Sequence, residues 1–221
     1  MIQICAVALL LGACTPAIES KALIHVEDNK LFLAGTLDHG AKPLVLAALD
    51  DHPLVDTIVF TVAPGSVDDE CTLALGREIR ARGLHTRLID GGVLVSGGVS
   101  LFLAGATRAM DGAATVGVHS WEGCTHADGQ APQCRDAIDY PLDDPAHRLH
   151  QDYVREMLGS DGFYLFSIRA APSDSVHWMS REEIGEFGLA PHTPGEPDLN
   201  VPDHLHPDAL VPRMCRNCPP R

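Results

Sequence analysis

Basic residues are scarce in this chain. Sixteen Lys and Arg stand against 30 Asp and Glu, a formal net charge of −14. Phosphate backbones and anionic bilayers repel such a surface, which argues against nucleic-acid binding and against electrostatic attachment to a membrane. The sequence also lacks a phosphate-binding P-loop, a dinucleotide fingerprint and any internal repeat. No cofactor is expected. Nor is there an apolar run long enough to cross a bilayer, since the leading one, Met1 to Ala13, falls short of a span. What is plentiful is apolar side chain. At 221 residues and 45% hydrophobic content, one sizeable domain with a real core is expected.

The leading segment has the marks of targeting. It ends in Leu-Gly-Ala-Cys, small residues before a cysteine, which resembles a bacterial lipobox. Residues 1–13 are therefore expected to be a lipoprotein-type signal peptide, although its start carries no Lys or Arg. Cleavage before Cys14 would leave an acylated cysteine and a periplasmic protein held to the membrane through a lipid anchor. Thr15, rather than Asp, follows that cysteine and points to the outer membrane.

Cysteine usage fits export. Of seven cysteines, Cys5 would go with the leader and Cys14 would carry lipid. Cys124 and Cys134 flank THADGQAPQ, a short polar segment that a disulfide would staple in an oxidising compartment. Cys71 sits in an apolar helical pattern and reads as a buried thiol. Cys215 and Cys218 form a C-x-x-C near His204 and His206. The H-x-H spacing is unusual for a compact zinc site, and no metal is expected.

Periodicity gives the architecture. Ala22–Val26 and Leu31–Ala34 are apolar runs around a turn and predict a hairpin. A helix is expected over 42–50, stopped by Pro53. TIVFTV, residues 57–62, is a β-branched run of the kind buried in parallel sheets. A helix over 68–82 ending at Gly83 and a strand over 85–89 complete a βαβ unit, right-handed by default. Amphipathic spacing predicts a helix over 146–158, and Ser180 with Glu183 forms a capping box. From Ala190 the chain is proline-rich and aperiodic, and an extended tail over 190–221 is expected.

The chain turns on residues 91–105, GGVLVSGGVSLFLAG. Ser96 is followed by two glycines and then by an apolar run that fits a buried helix. Glycines there allow a tight turn and a close backbone approach. A serine at that turn has free N–H groups of the helix start beside it, an arrangement suited to a nucleophile with an oxyanion site. The simpler alternative is a serine that only caps the helix. The next strand candidate, residues 115–118, ends in His119. A second strand–helix–strand unit thus runs through Ser96 and His119, and the fold class is α/β.

Taken together, VSGGVSLFLAG, GATRAM and VGVHS resemble the Clp protease proteolytic subunit and its relatives in the ClpP/crotonase superfamily, above all an exported bacterial branch. The likeness covers about residues 31–189 and is strongest over 75–119. It implies a spiral of repeated β-β-α units with a parallel sheet over residues 14–189, with 120–145 as an inserted loop. It also implies Ser96 as nucleophile and His119 as its base. Where those peptidases carry Gly-Gly in an oxyanion loop, this chain has Gly65 and Ser66, and the second donor would be the N–H of Gly97. The acid that orients the histidine falls in register on Val176, which cannot serve; Asp174 is the nearby candidate, and a Ser–His dyad without an acid is the alternative. The resemblance implies a peptide or protein substrate, and a helical segment after the histidine that helps build a homo-oligomer unless it only packs within a monomer. Two function classes stay open: an envelope-anchored serine hydrolase, or a catalytically silent binding or scaffold lipoprotein.

Overall fold

The apolar run around residues 57–62 lies near the middle of a seven-stranded, mostly parallel sheet. The computed structural model describes residues 20–125, 129, 131–190 and 199–214. β1 (Ala22–Glu27) and β2 (Lys30–Gly35) form the expected antiparallel hairpin. α1 (Ala41–Asp51) leads to β3 (Thr57–Ala63), and α2 (Asp69–Ala81) leads to β4 (His85–Val95). α3 (Gly97–Leu103) is followed by β5 (Arg108–Met110) and β6 (Thr115–Val118). Beyond these come the hairpin β7 (Glu122–Thr125) and β8 (Gln133–Asp136), then α4 (Pro145–Leu158) and α5 (Gly162–Ala170). Last are the short strand β9 (His177–Trp178), α6 (Arg181–Glu186) and α7 (Pro207–Met214).

Local chemistry sets the helix ends. Asp68 caps α2 by accepting the Cys71 N–H at 3.0 Å, and acidic Asp69 and Glu70 occupy its first turn. The Ser180–Glu183 capping box opens α6 as the sequence predicts. Cys71 is half-buried rather than buried, and hydrogen bonding to Asp68 followed by burial pushes its thiol pKa up.

β4 departs from expectation in length. It does not stop at Ile89 but runs through the glycine pair to Val95. Its ladder with β3 pairs Phe60 with Leu88 and Val62 with Val93, two steps on one strand against five on the other. The surplus is a bulge at Gly91, whose φ of 66° glycine adopts without a Cβ penalty. That kink lets one strand serve two parallel neighbours: β5 pairs with its first half and β6 with its second.

Side chains alternate between the two faces of the sheet. Leu31, Leu33, Ile58 and Phe60 point to the face packed by the helices. Phe32, Val59, Val62, Val93 and Val95 point to the other, where Leu205 and Leu210 cover them. The tail expected over 190–221 is thus corrected for residues 199–214, which fold into a short 3₁₀ turn (Asp203–Leu205) and α7 against the sheet. An apolar sheet face costs free energy until something covers it, and these two leucines supply the cover.

Candidate functional site

Ser96 occupies the sharp turn from β4 into α3. Its backbone has φ 54° and ψ −121°, one of two non-glycine residues with positive φ among the described residues. That conformation costs about 1–3 kcal/mol for a residue with a Cβ, and it persists only because the surroundings hold it. Ser96 N–H donates to the Gly117 carbonyl at 3.2 Å, and its own carbonyl accepts from Val99 at 2.9 Å. The turn is thereby fixed to β6 on one side and to α3 on the other. The hydroxyl makes no capping bond to the helix, so the capping alternative is not met.

Gly97 and Gly98 are glycines because two backbones meet there. A Cβ on Gly97 would lie 2.4 Å from Ser66 Oγ and 2.5 Å from its Cβ, and one on Gly98 would lie 2.4 Å from the Ala63 carbonyl oxygen. The start of α3 is therefore pressed against the loop that follows β3. That loop is tied down by Leu37, whose N–H donates to the Gly65 carbonyl at 2.9 Å and whose carbonyl accepts from Val67 at 2.9 Å. Ser66 lies between these bonds, and its N–H has no acceptor among the described residues. Gly65 faces the serine, since a Cβ built there would sit 3.6 Å from Ser96 Cβ.

His119 follows the last residue of β6. Its Nδ1 is 2.7 Å from the carbonyl oxygen of Ser120. A carbonyl only accepts, so the proton sits on Nδ1, and in the neutral ring Nε2 is left with its lone pair. Ser96 and His119 line one cleft, but no hydrogen bond joins them among the described residues.

The acid is where the geometry departs from expectation. Asp174 is exposed in the turn between α5 and β9 and makes no bond to His119. The β6–β9 ladder pairs Gly117 with Trp178 and Val118 with His177, and Val176, one residue before β9, packs with Trp178 against the outer sheet face. Val176 brings no acid to the ring, and the Ser120 carbonyl holds Nδ1 instead.

The cleft is small, about 70 Å³, and opens to solvent. It is lined by Ser96 before α3 and Val99 within it, by Val118 of β6 and His119 just after it, by His150 and Val154 from α4, and by Phe163 and Ile168 from α5. Trp121 closes one end. Its indole N–H donates to the Tyr164 hydroxyl at 2.9 Å, and that hydroxyl lies 2.5 Å from His147 Nδ1. Burial pushes the Tyr164 pKa up to about 12. Burial likewise holds the His150 pKa below its ordinary value; Asp69 opposes this and His147 reinforces it.

His150, Tyr164 and Trp121 carry no motif, and sequence reading takes His147 and His150 as isolated surface or core histidines. The available signal was spacing: residues 147, 150, 154 and 157 fall on one face of an amphipathic helix.

Cys124 and Cys134 face each other across the β7–β8 hairpin as a disulfide, Cα atoms 4.0 Å apart. The hairpin stands next to the cleft, because Ser120 Oγ accepts the Ala137 N–H at 2.9 Å. Glu122 is close to both sulfurs, but these are bonded to each other, which leaves no ligand set there. His204 packs against the His25 ring. The expected leader over 1–13, the lipidation site Cys14, and Cys215 and Cys218 lie outside the described residues.

No family model and no curated protein matches the chain. Solved structures do. An enoyl-CoA hydratase from Geobacillus kaustophilus HTA426 superposes with a TM-score of 0.51 at 13% identity, over 80% of this chain and 69% of that one. A mutant of a membrane-bound stomatin-specific protease gives 0.50 at 10% identity, over 76% and 80%. The fold is the ClpP/crotonase-like α/β fold. The fold hosts more than one chemistry and does not choose between them.

Proposed function

We propose that the protein is a serine hydrolase acting on a peptide or protein, with Ser96 as nucleophile and His119 as base. The observation that carries this reading is the strained turn at Ser96. A residue that needs glycine-like dihedrals, with its hydroxyl free of capping duty and a histidine in the same cleft, is costly to keep for packing alone.

In the proposed reaction Ser96 Oγ attacks the scissile carbonyl carbon and passes its proton to His119 Nε2. The carbonyl oxygen takes the negative charge and accepts hydrogen bonds from the N–H groups of Ser66 and Gly97, with Gly65 shaping the loop beside them. The C–N bond then breaks, and the imidazolium returns the proton to the departing amine. Water, deprotonated by the same Nε2, releases the acyl group and restores Ser96. Nδ1, held by the Ser120 carbonyl, keeps the ring in the tautomer this needs. Closing the cleft on substrate must bring Oγ and Nε2 to about 2.6–3.2 Å, since apo sites are often looser.

The second reading, a silent binding or scaffold protein, draws support from Val176, which removes the family's orienting acid. Labelling decides between them. A fluorophosphonate probe is expected to modify the protein, and Ser96→Ala to abolish the adduct; equal labelling of both would leave only the silent reading.

The Leu-Gly-Ala-Cys sequence and the Cys124–Cys134 disulfide support an envelope location, since disulfides persist in oxidising compartments. In this reading Cys14 carries the lipid and the protein faces the periplasm. Intact-mass analysis of membrane-extracted protein should find a diacyl or triacyl adduct on Cys14; an unprocessed chain retaining Met1 would overturn it.

A further inference from the structure

His150 is the imidazole in the cleft that the proposed reaction leaves idle. Its ring lies beside those of Tyr164, 5.9 Å away and 3° from parallel, and Trp121, 6.3 Å away at 16°. These neighbours fix the ring, and its Nε2 is 3.5 Å from Asp69 Oδ2. The other carboxylate oxygen of Asp69 accepts the hydroxyl of Ser66. Ser66 in turn abuts Gly97, and its N–H has no acceptor among the described residues. A continuous set of contacts therefore runs from α4, through the first residue of α2, to the loop beside Ser96.

The loop needs such support. Leu37 holds Gly65 and Val67 from one side only. On the other side the tether is the Ser66 hydroxyl, which a glycine at this position would lack. Asp69 is partly open to water, with 41% of its side chain exposed, so its carboxylate can turn unless both oxygens are engaged.

We infer that His150 is a positioning residue: through Asp69 it fixes the Ser66 side chain and so aims the Ser66 N–H at the substrate oxyanion. The inference rests on the reading of Ser96 as nucleophile. One oxyanion donor is worth about 10²–10³ in kcat, and a displacement near 1 Å can cost about 10². Loosening a donor without removing it should cost about tenfold.

The test compares His150→Phe, which keeps a stacked ring but loses Nε2, with His150→Gln, which keeps a donor, and with Asp69→Asn. Hydrolysis of a p-nitrophenyl ester and the ¹⁵N order parameter of the Ser66 amide are read in each. His150→Phe and Asp69→Asn should each lower kcat about tenfold with KM held within about twofold, a loss confined to the transition state. The double variant should be no worse than either single one, because both cut the same chain. His150→Gln should restore most of the loss. The Ser66 order parameter should fall from about 0.85 towards 0.6 where the chain is cut. If His150→Phe folds poorly, His150→Gln and Asp69→Asn carry the comparison. A rigid Ser66 amide in His150→Phe and Asp69→Asn, or losses that add in the double variant, would overturn the inference. Absence of Ser96 labelling in the wild type would remove the hydrolase reading, while the Ser66 amide would still report whether His150 holds it.

Discussion

The ring of His119 is held by the carbonyl of its own neighbour, Ser120, with 2.7 Å between Nδ1 and the oxygen. A backbone carbonyl fixes the tautomer as a carboxylate does. In the proposed reaction it would supply less negative charge to stabilise the imidazolium formed by proton transfer. The Ser96 site should therefore be slow but improvable.

Val176→Asp is the variant that tests this. It places a carboxylate one residue beyond the Val118–His177 pair of the β6–β9 register. The rate of Ser96 acylation is expected to rise about tenfold, well short of the roughly 10⁴ that an optimised acid supplies. Stopped-time labelling with a fluorophosphonate measures it, and no rise would mean that the aspartate cannot reach Nδ1.

Ser96→Gly should separate strain from function. Glycine adopts φ 54° and ψ −121° freely, so the folded state should gain about 1 kcal/mol, or roughly 2–4 °C in melting temperature. Ser96→Ala should show no such gain, and neither variant should label. A serine kept for packing alone would give no stabilisation on replacement by glycine.

The pH dependence of stability follows from His150. Its folded pKa is lowered by burial, with Asp69 on α2 opposing and His147 on its own helix assisting; the rings of Tyr164 and Trp121 stack on it. Below its ordinary value of 6.5 the unfolded chain binds a proton that the folded chain resists. Stability contributed above that pH is lost as pH falls through the window between 6.5 and the lowered folded value. Thermal melts from pH 7.5 downward should decline, and His150→Phe should flatten the decline.

Leu210→Ala tests the cover on the outer sheet face. Leu210 is 3% exposed, and its truncation should destabilise the protein by about 2–4 kcal/mol with little effect on Ser96 labelling. Denaturant unfolding checks the first and the probe the second.

Reduction of Cys124–Cys134 opens a loop with a sequence separation of 10. The loss should be about 2–3 kcal/mol on chain-entropy grounds, read as a lower melting temperature in dithiothreitol.

Much of this was written locally in the sequence. The buried run Thr57–Ala63, the Asp68-capped α2 and the Ser180–Glu183 box follow from residue type and short spacing. Ser96 and His119 share a cleft because each directly follows one of two paired parallel strands, β4 and β6. Other features depend on partners distant in the chain. Glycines 91 and 92 read as a break, yet the β3 and β6 ladders carry β4 through them. His150 is defined by rings at positions 121 and 164, not by its own neighbours. Asp174 lies two residues from Val176 in sequence, but the turn carries it into solvent. Leu205 and Leu210 sit among prolines without a visible period, and only the sheet face makes them core.

That last dependence orders the assembly of the molecule in time. Strands β2, β3 and β4 can pair as soon as they have emerged, with Phe32, Val59 and Val93 forming a wet apolar strip. The strip dries only when residues 199–214 arrive, more than a hundred positions later. During synthesis, that interval is a window for chaperone capture or for sticking to another nascent copy. A protease that trimmed the chain before Leu205 would reopen the window in the finished protein.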